Sequence, residues 1–495
     1  MAGIGFELRD LARQQSFTTI IRAFGHAAVV AAGPWIFTIL SLATITIVGE
    51  QVAGRQTLAS FRAVIIYAFA VSLVLTAPVT IVATRLVADA LWLRQPGRVR
   101  PLLFGALVTA LVLVSVGVAG LALHFRMPLP LALALLASAL TVALIWVALS
   151  FCGAIRDYRG VTIAFVSGLV VSVLAGSSAA ILDLGAAAIA WGFLSGLMVT
   201  FLALTLRVLA SFPGPLVAPE VGFEAVVQGF RTYGHLALGA LAATAAVWVD
   251  KWVFWFSPIG ETVDGGLVHA PLYDSAMFIA SLVVIPALAV FVVQLETDFF
   301  ERYQHYFSTI STHGTLRQIE NSRRRMARRT LDNLVLITIA ELGLAVVLIL
   351  AAPMIVDALS LQFQQIAILR YGALGSVFQF IFIATTSLLL FFDRRRLYLG
   401  LQVTFLALNL GFTILTVELG ETYFGVGYFA ACLLASLLAY LAAVATFERL
   451  NFLTFIGNNP SIIPAGRSGR WIQEVTESGS AGGSSVSSSR SARAT

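Results

Sequence analysis

Lysine is almost missing from this 495-residue chain, because of its 31 basic side chains only Lys251 is a lysine. Charge as a whole is scarce, at 11% of residues, which excludes an ordinary soluble domain, where about a quarter would be charged. The two cysteines, Cys152 and Cys432, lie at or within apolar runs without metal-type spacing. They read as small apolar residues and imply neither a disulfide framework nor a metal centre. A Gly-x-x-x-x-Gly-Lys-Ser/Thr loop, His/Cys ligand spacing and a nucleophile elbow are all lacking, so no enzymatic, metal or cofactor chemistry is expected. The first 22 residues lack the early apolar core and small-residue cleavage site of a secretory signal.

What is present is apolar sequence: 59% hydrophobic residues, with a mean hydropathy of +0.92. Runs of about 20 such residues match the thickness of a bilayer crossed as helix, because a helix satisfies its own backbone groups in lipid. Twelve are expected, near 24–48, 63–84, 101–123, 131–152, 161–182, 187–206, 233–256, 273–295, 331–352, 370–392, 397–417 and 428–447. The expectation is therefore an all-α polytopic membrane protein.

Arginines alternate with these spans. Arg9, Arg13 and Arg22 precede the first, Arg85, Arg94, Arg98 and Arg100 follow the second, and Arg156 and Arg159 follow the fourth. The cluster Arg302, Arg317, Arg323, Arg324, Arg325, Arg328 and Arg329 follows the eighth, and Arg394–Arg396 separate the tenth from the eleventh. The positive-inside rule makes that side, and both termini, cytoplasmic. A net charge of +6 and a pI near 9.6 follow from this asymmetry and suit anionic lipid, not nucleic acid. Residues 1–22 read as an amphipathic segment on the cytoplasmic face and 458–495 as a disordered Ser-rich cytoplasmic tail.

Arg22-Ala-Phe-Gly-His26 recurs as Arg231-Thr-Tyr-Gly-His235, and the same offset of 209 residues carries Asp89 onto Asp298. Each of those aspartates has a proline about three turns upstream, Pro78 and Pro286. Two parallel six-helix repeats, 23–215 and 216–457, around a central cavity are the inference.

Polar groups within the spans are candidate transport residues, since an ionisable side chain at mid-bilayer costs about 2.5–3.5 kcal/mol on insertion scales. Asp250 and Lys251 adjoin in Trp248-Val-Asp-Lys-Trp252, although a compositional bias against lysine, or snorkelling of Lys251 to the surface, would also explain the pair. Glu341 lies ten residues into the ninth span, either as a coupling carboxylate with Lys251 a candidate partner or as a packed neutral acid. Trp248, Trp252 and Trp255 share a helix face, read as an interfacial belt or, less simply, as sugar-stacking surface. Gly33 and Pro34 interrupt the first span as a hinge or a static bend. Arg85 with Asp89, and Asp298 with Arg302, are spaced to pair across one helical turn and latch the cytoplasmic ends. Arg323, Arg324 and Arg325 are docking candidates or ordinary positive-inside charge.

Several stretches together resemble the PelG family of Pel exopolysaccharide transporters, within the group of multidrug and oligosaccharidyl-lipid exporters. They are the opening Met1-Ala-Gly-Ile-Gly-Phe-Glu-Leu-Arg9, Gly33-Pro34-Trp35, Thr84-Arg85 with Ala88-Asp89, and Trp248–Trp252. Leu272–Phe278, Glu296–Glu301 and Phe392–Arg395 complete the set, and the resemblance covers roughly residues 1–460. It implies two six-helix bundles around a V-shaped cavity in the bacterial inner membrane. It also implies export of a partly acetylated galactosamine/glucosamine polymer, beside a cytoplasmic glycosyltransferase and membrane subunits of a Pel-type complex. Rival expectations are a flippase for lipid-linked oligosaccharide, an ion-coupled small-molecule antiporter and a non-transporting scaffold.

Overall fold

The computed structural model describes residues 37–155, 158–213, 219–263 and 265–457. The expected amphipathic segment 1–22, Gly33, Pro34, His26 and the tail after 457 lie outside the described residues. Eleven helices within them are long and apolar enough to cross a membrane, and Phe37–Gly49 is the described part of the first expected span.

Pro271–Ser311 counts as one of the eleven although it is built of three shorter helices, and in chain order the helices are α1 (Phe37–Gly49), α2 (Arg55–Trp92), α3 (Val99–His124), α4 (Leu129–Ile155), α5 (Tyr158–Ile181) and α6 (Ala186–Ser211). Next come α7 (Pro219–Trp255), α8 (Pro271–Ser281), α9 (Val284–Gln294), α10 (Phe300–Ser311), α11 (Leu316–Ala358), α12 (Gln365–Phe391), α13 (Arg395–Leu419) and α14 (Val426–Glu448). A two-stranded antiparallel hairpin, β1 (Glu261–Thr262) with β2 (Val268–His269), links α7 to α8.

Two expected elements differ. The span at 273–295 is broken at Leu282–Val283 into α8 and α9, because Pro286 has no N–H to offer the Leu282 carbonyl and its ring crowds that turn. A π-helical turn, Leu295–Phe299, then joins α9 to α10. The arginines expected in a loop after the eighth span instead lie on helices, Arg302 on α10 and the other six on α11, a 43-residue helix about 64 Å long at 1.5 Å per residue, roughly twice the hydrocarbon thickness. Its first turn is fixed by a capping box between Thr315 and Gln318.

α7 is the junction of the two halves of the chain, packing against α2 and α3 on one side and α13 on the other. The approach to α3 is backbone to backbone, since a Cβ on Gly105 would strike the Gly222 carbonyl group and one on Gly222 would strike the Pro101 carbonyl oxygen. Small residues allow this closeness in lipid, where helix association relies on van der Waals contact.

Candidate functional site

The buried charge lies little more than one turn from the end of α7 at its hairpin side. Asp250 is wholly buried, and both of its carboxylate oxygens accept from Lys251 Nζ at 3.1 Å. Tyr273 Oη of α8 donates to Asp250 Oδ2 at 2.9 Å, and Lys251 Nζ also donates to the Val247 carbonyl at 3.1 Å. The Lys251 side chain keeps 19% exposure, so the ammonium is held at the edge of the cluster by its neighbour and does not snorkel free. Lys251 takes Asp250; no hydrogen bond or ion pair joins it to Glu341.

Around this pair the interior between the helices is rich in polar contacts. Trp255 Nε1 and the Ala270 amide both donate to Asp274 Oδ2, at 2.8 and 3.2 Å. Asn409 of α13 donates to the Ala246 carbonyl at 2.8 Å, and Tyr428 of α14 donates to Gln379 of α12 at 2.7 Å. Gln365 Nε2 reaches the carbonyls of Pro271 and Leu272 and the Ser275 hydroxyl. α7, α8, α12, α13 and α14 are thereby cross-linked by hydrogen bonds that lipid cannot replace.

The tryptophans correct the expected belt. Trp248 and Trp255 are 8% and 2% exposed, and Trp252 is half-buried. Trp255 stacks on Tyr67 of α2 at 4.6 Å, and Tyr67 Oη donates to the Val268 carbonyl of the hairpin at 2.7 Å. One end of α2 is thus tied to α7.

The other, arginine-rich end is tied through Arg85 and Asp89, which the sequence singles out, and Tyr233, which it does not. Arg85 and Asp89 do not pair with each other. Asp89 accepts from Tyr233 Oη of α7 at 2.5 Å, and Arg85 donates to the Leu390 carbonyl at 3.3 Å. Tyr233 departs from helical geometry at φ −110°, ψ 22°, kinking α7 just before Gly234, and the Arg395 guanidinium lies 4.9 Å above its ring. Arg395 in turn holds Asp393 at 2.6 Å. The spacing that suggested an Arg85–Asp89 pair was right about the helix face but could not reveal a better donor on a helix 144 residues away.

Asp298 pairs with Arg302 at 2.7 Å as the spacing predicts, and adds Asn333 of α11 at 3.1 Å. Arg323 is engaged within the chain, donating to Glu320 and to the Phe447 and Glu448 carbonyls at the end of α14. Arg324 is 72% exposed and bound to Glu320. Arg325 is exposed and helps line a polar groove of about 530 Å³ between α10 and α11, with His305, Thr309, His313 and Asn321. Glu341 is 3% exposed and lies on the inner stripe of α11. Cys152 and Cys432 are buried free thiols. No group of three or more His, Cys, Asp or Glu able to hold a metal occurs among the described residues.

Solved structures of similar fold include transporters described as of the MATE family or the MOP superfamily. One described as the inward-facing conformation of a multidrug resistance MATE family transporter of the MOP superfamily superposes with a TM-score of 0.59 at 16% identity, covering 86% of this chain and 99% of that one. The outward-facing form described in the same words gives 0.58 at 14%, covering 86% and 96%. A MOP superfamily transporter from Pyrococcus furiosus, described as having a binding pocket of reverse polarity, gives 0.59 at 14%, covering 87% and 96%. These identities establish a shared fold and nothing finer. No curated protein matches the sequence. The family model for the PelG exopolysaccharide exporter (EPS-E) matches residues 1–455, and the chain belongs to that family.

Proposed function

We propose that this protein carries a Pel-like polymer of N-acetylated galactosamine and glucosamine from cytoplasm to periplasm across the bacterial inner membrane. In this reading both termini are cytoplasmic, and residues 23–215 and 216–457 are the two six-helix bundles that flank the path. Membership of an exopolysaccharide exporter family and a MOP-type fold support polysaccharide transport as the activity. The observation that carries the site is the Asp250–Lys251–Tyr273 cluster, a charge pair wholly or largely withdrawn from water in a span where each charge is costly. Once α7 and α8 part, this buried cluster of paired charge and a phenol hydroxyl, next to Trp248 and Trp252, offers amino sugars what they recognise: hydrogen-bonding groups beside an aromatic face.

α2 and α7 are joined at both ends, by Tyr67 with Trp255 and by Asp89 with Tyr233. Passage of polymer requires at least one of these ties to part, which makes Asp89, Tyr233, Arg85 and Arg395 the latch on the arginine-rich side. Arg324 and Arg325, with Asp298–Arg302 beneath them, form the surface offered to a glycosyltransferase or membrane subunit of a Pel-type complex. The test is to delete the gene and identify what accumulates in cells whose glycosyltransferase still works. Free amino-sugar polymer inside the cell supports the reading. A lipid-linked oligosaccharide would point to a flippase, and unchanged polymer with new drug sensitivity to a small-molecule antiporter.

A further inference from the structure

α11 turns most of its surface outward, with Leu336, Ile339, Leu342, Val347 and Leu350 all exposed. Its narrow inner stripe runs through Thr330, Leu334, Ile337, Glu341, Ala345 and Ala352. Glu341 is the one ionisable group on that stripe, and neither of its oxygens has a hydrogen-bond partner among the described residues. One turn to one side, Ile337 belongs to an apolar cluster with Ala287 and Phe380; one turn to the other, Ala345 packs with Val283, Ala373 and Val377.

The elements packed on α11 bring nothing to neutralise it. α9 has no titratable residue. α12 has Arg370 and Tyr371 at its start, with Arg370 donating to the Ile349 carbonyl. The π-turn and α10 carry Glu296, Asp298, Glu301, Arg302, Tyr303, His305 and Tyr306, with Asp298 taken by Arg302 and Asn333. α14 carries Tyr428, Cys432, Tyr440 and Glu448, with Tyr428 turned to Gln379. No hydrogen bond or ion pair from any of these groups reaches the Glu341 carboxyl.

The contrast with Asp250 is instructive, since the same membrane protein supplies that carboxylate with an ammonium and a phenol and supplies Glu341 with neither. An ionised carboxylate with no donor is strongly disfavoured in an apolar seam. We propose that Glu341 is a proton-binding site, occupied while α11 packs on α9 and α12, and that proton transfer at this site drives the transport cycle. Loss of the proton leaves a charge that only water or separation of the seam can relieve, so proton occupancy and helix packing are linked. The proposal rests on the transporter reading and adds its energy source.

The test combines two independent readouts. Purified wild-type protein in nanodiscs, treated with dicyclohexylcarbodiimide in neutral buffer, should form an N-acylurea on Glu341 detectable by peptide mass spectrometry, because a protonated acid gives its proton to a carbodiimide nitrogen while its oxygen adds to the central carbon, and the acyl group then shifts to nitrogen. Glu341→Gln, a neutral isostere, should keep wild-type thermal stability and membrane abundance, form no adduct there and lose polymer export. Absence of the adduct in folded wild-type protein overturns the proposal, and so does wild-type export by Glu341→Gln. A gene deletion that leaves export untouched would instead defeat the transporter reading while leaving the adduct result standing.

Discussion

Replacing Lys251 by methionine keeps the length and apolar stem of the side chain and removes only its charge. Asp250, wholly buried, then loses the 3.1 Å contacts to both oxygens and keeps the Tyr273 hydroxyl alone. Stripping one partner from a buried ion pair costs about 3–5 kcal/mol, and the residual 19% exposure of Lys251 argues for the lower end, about 3 kcal/mol. Asp250→Asn is milder, at about 1–2 kcal/mol, because the ammonium keeps the Val247 carbonyl at 3.1 Å and some water. The double variant Asp250→Asn/Lys251→Met removes both charges together and should return to within about 1 kcal/mol of wild type. Thermal unfolding of the purified proteins in nanodiscs would rank them wild type, double, Asp250→Asn, Lys251→Met. A double variant as unstable as Lys251→Met would refute the pairing argument, and so would a Lys251→Met protein as stable as wild type.

Three other outcomes follow from the packing, the latch and the hairpin. Gly105→Val places a branched side chain against the Gly222 backbone, where nothing flexible can yield, and should destabilise the protein by about 1–3 kcal/mol in the same unfolding assay. Tyr233→Phe keeps the ring beneath Arg395 but loses the bond to Asp89, worth about 1 kcal/mol; maleimide should label an Ala90→Cys probe about fivefold faster in that background, and unchanged labelling would remove Tyr233 from the latch. Burial, with a smaller contribution from Arg62, holds the His269 imidazole below its usual pKa despite the opposing pull of Glu261. The unfolded chain therefore binds the extra proton first, and hairpin stability should be full above about pH 6.5 and decline as pH falls below it. Hydrogen exchange across residues 261–269 would show this slope, and His269→Gln should abolish it.

Much of the fold was legible in sequence because lipid leaves the backbone few choices: a 20-residue apolar run is a spanning helix wherever it falls, and the described helices match those runs. Pro286 signalled a disturbance, though not that the helix would divide at Leu282–Val283. Direction along a helix face was the weaker reading. Trp248 and Trp255 share a face as periodicity requires, but periodicity does not say whether that face meets lipid or another helix, and Tyr67 and Asp274 decided the matter. The Asp250–Lys251 pair was visible because charge is rare in such a chain, whereas Tyr273, Tyr233 and Asn409 carry no charge and their partners lie 23 to 163 residues away. Asp274 was within reach: a second carboxylate in an apolar span is as conspicuous as Glu341, and its place beside Tyr273 could have drawn it into the site.

The central claim, that the buried Asp250–Lys251 charge belongs to the path of an exported polysaccharide, is tested most directly by polymer export in cells carrying Asp250→Asn/Lys251→Met. That variant is predicted to fold, so membrane abundance can be matched to wild type and the loss read as function. Export abolished at equal abundance is the predicted result; export at the wild-type rate would contradict it.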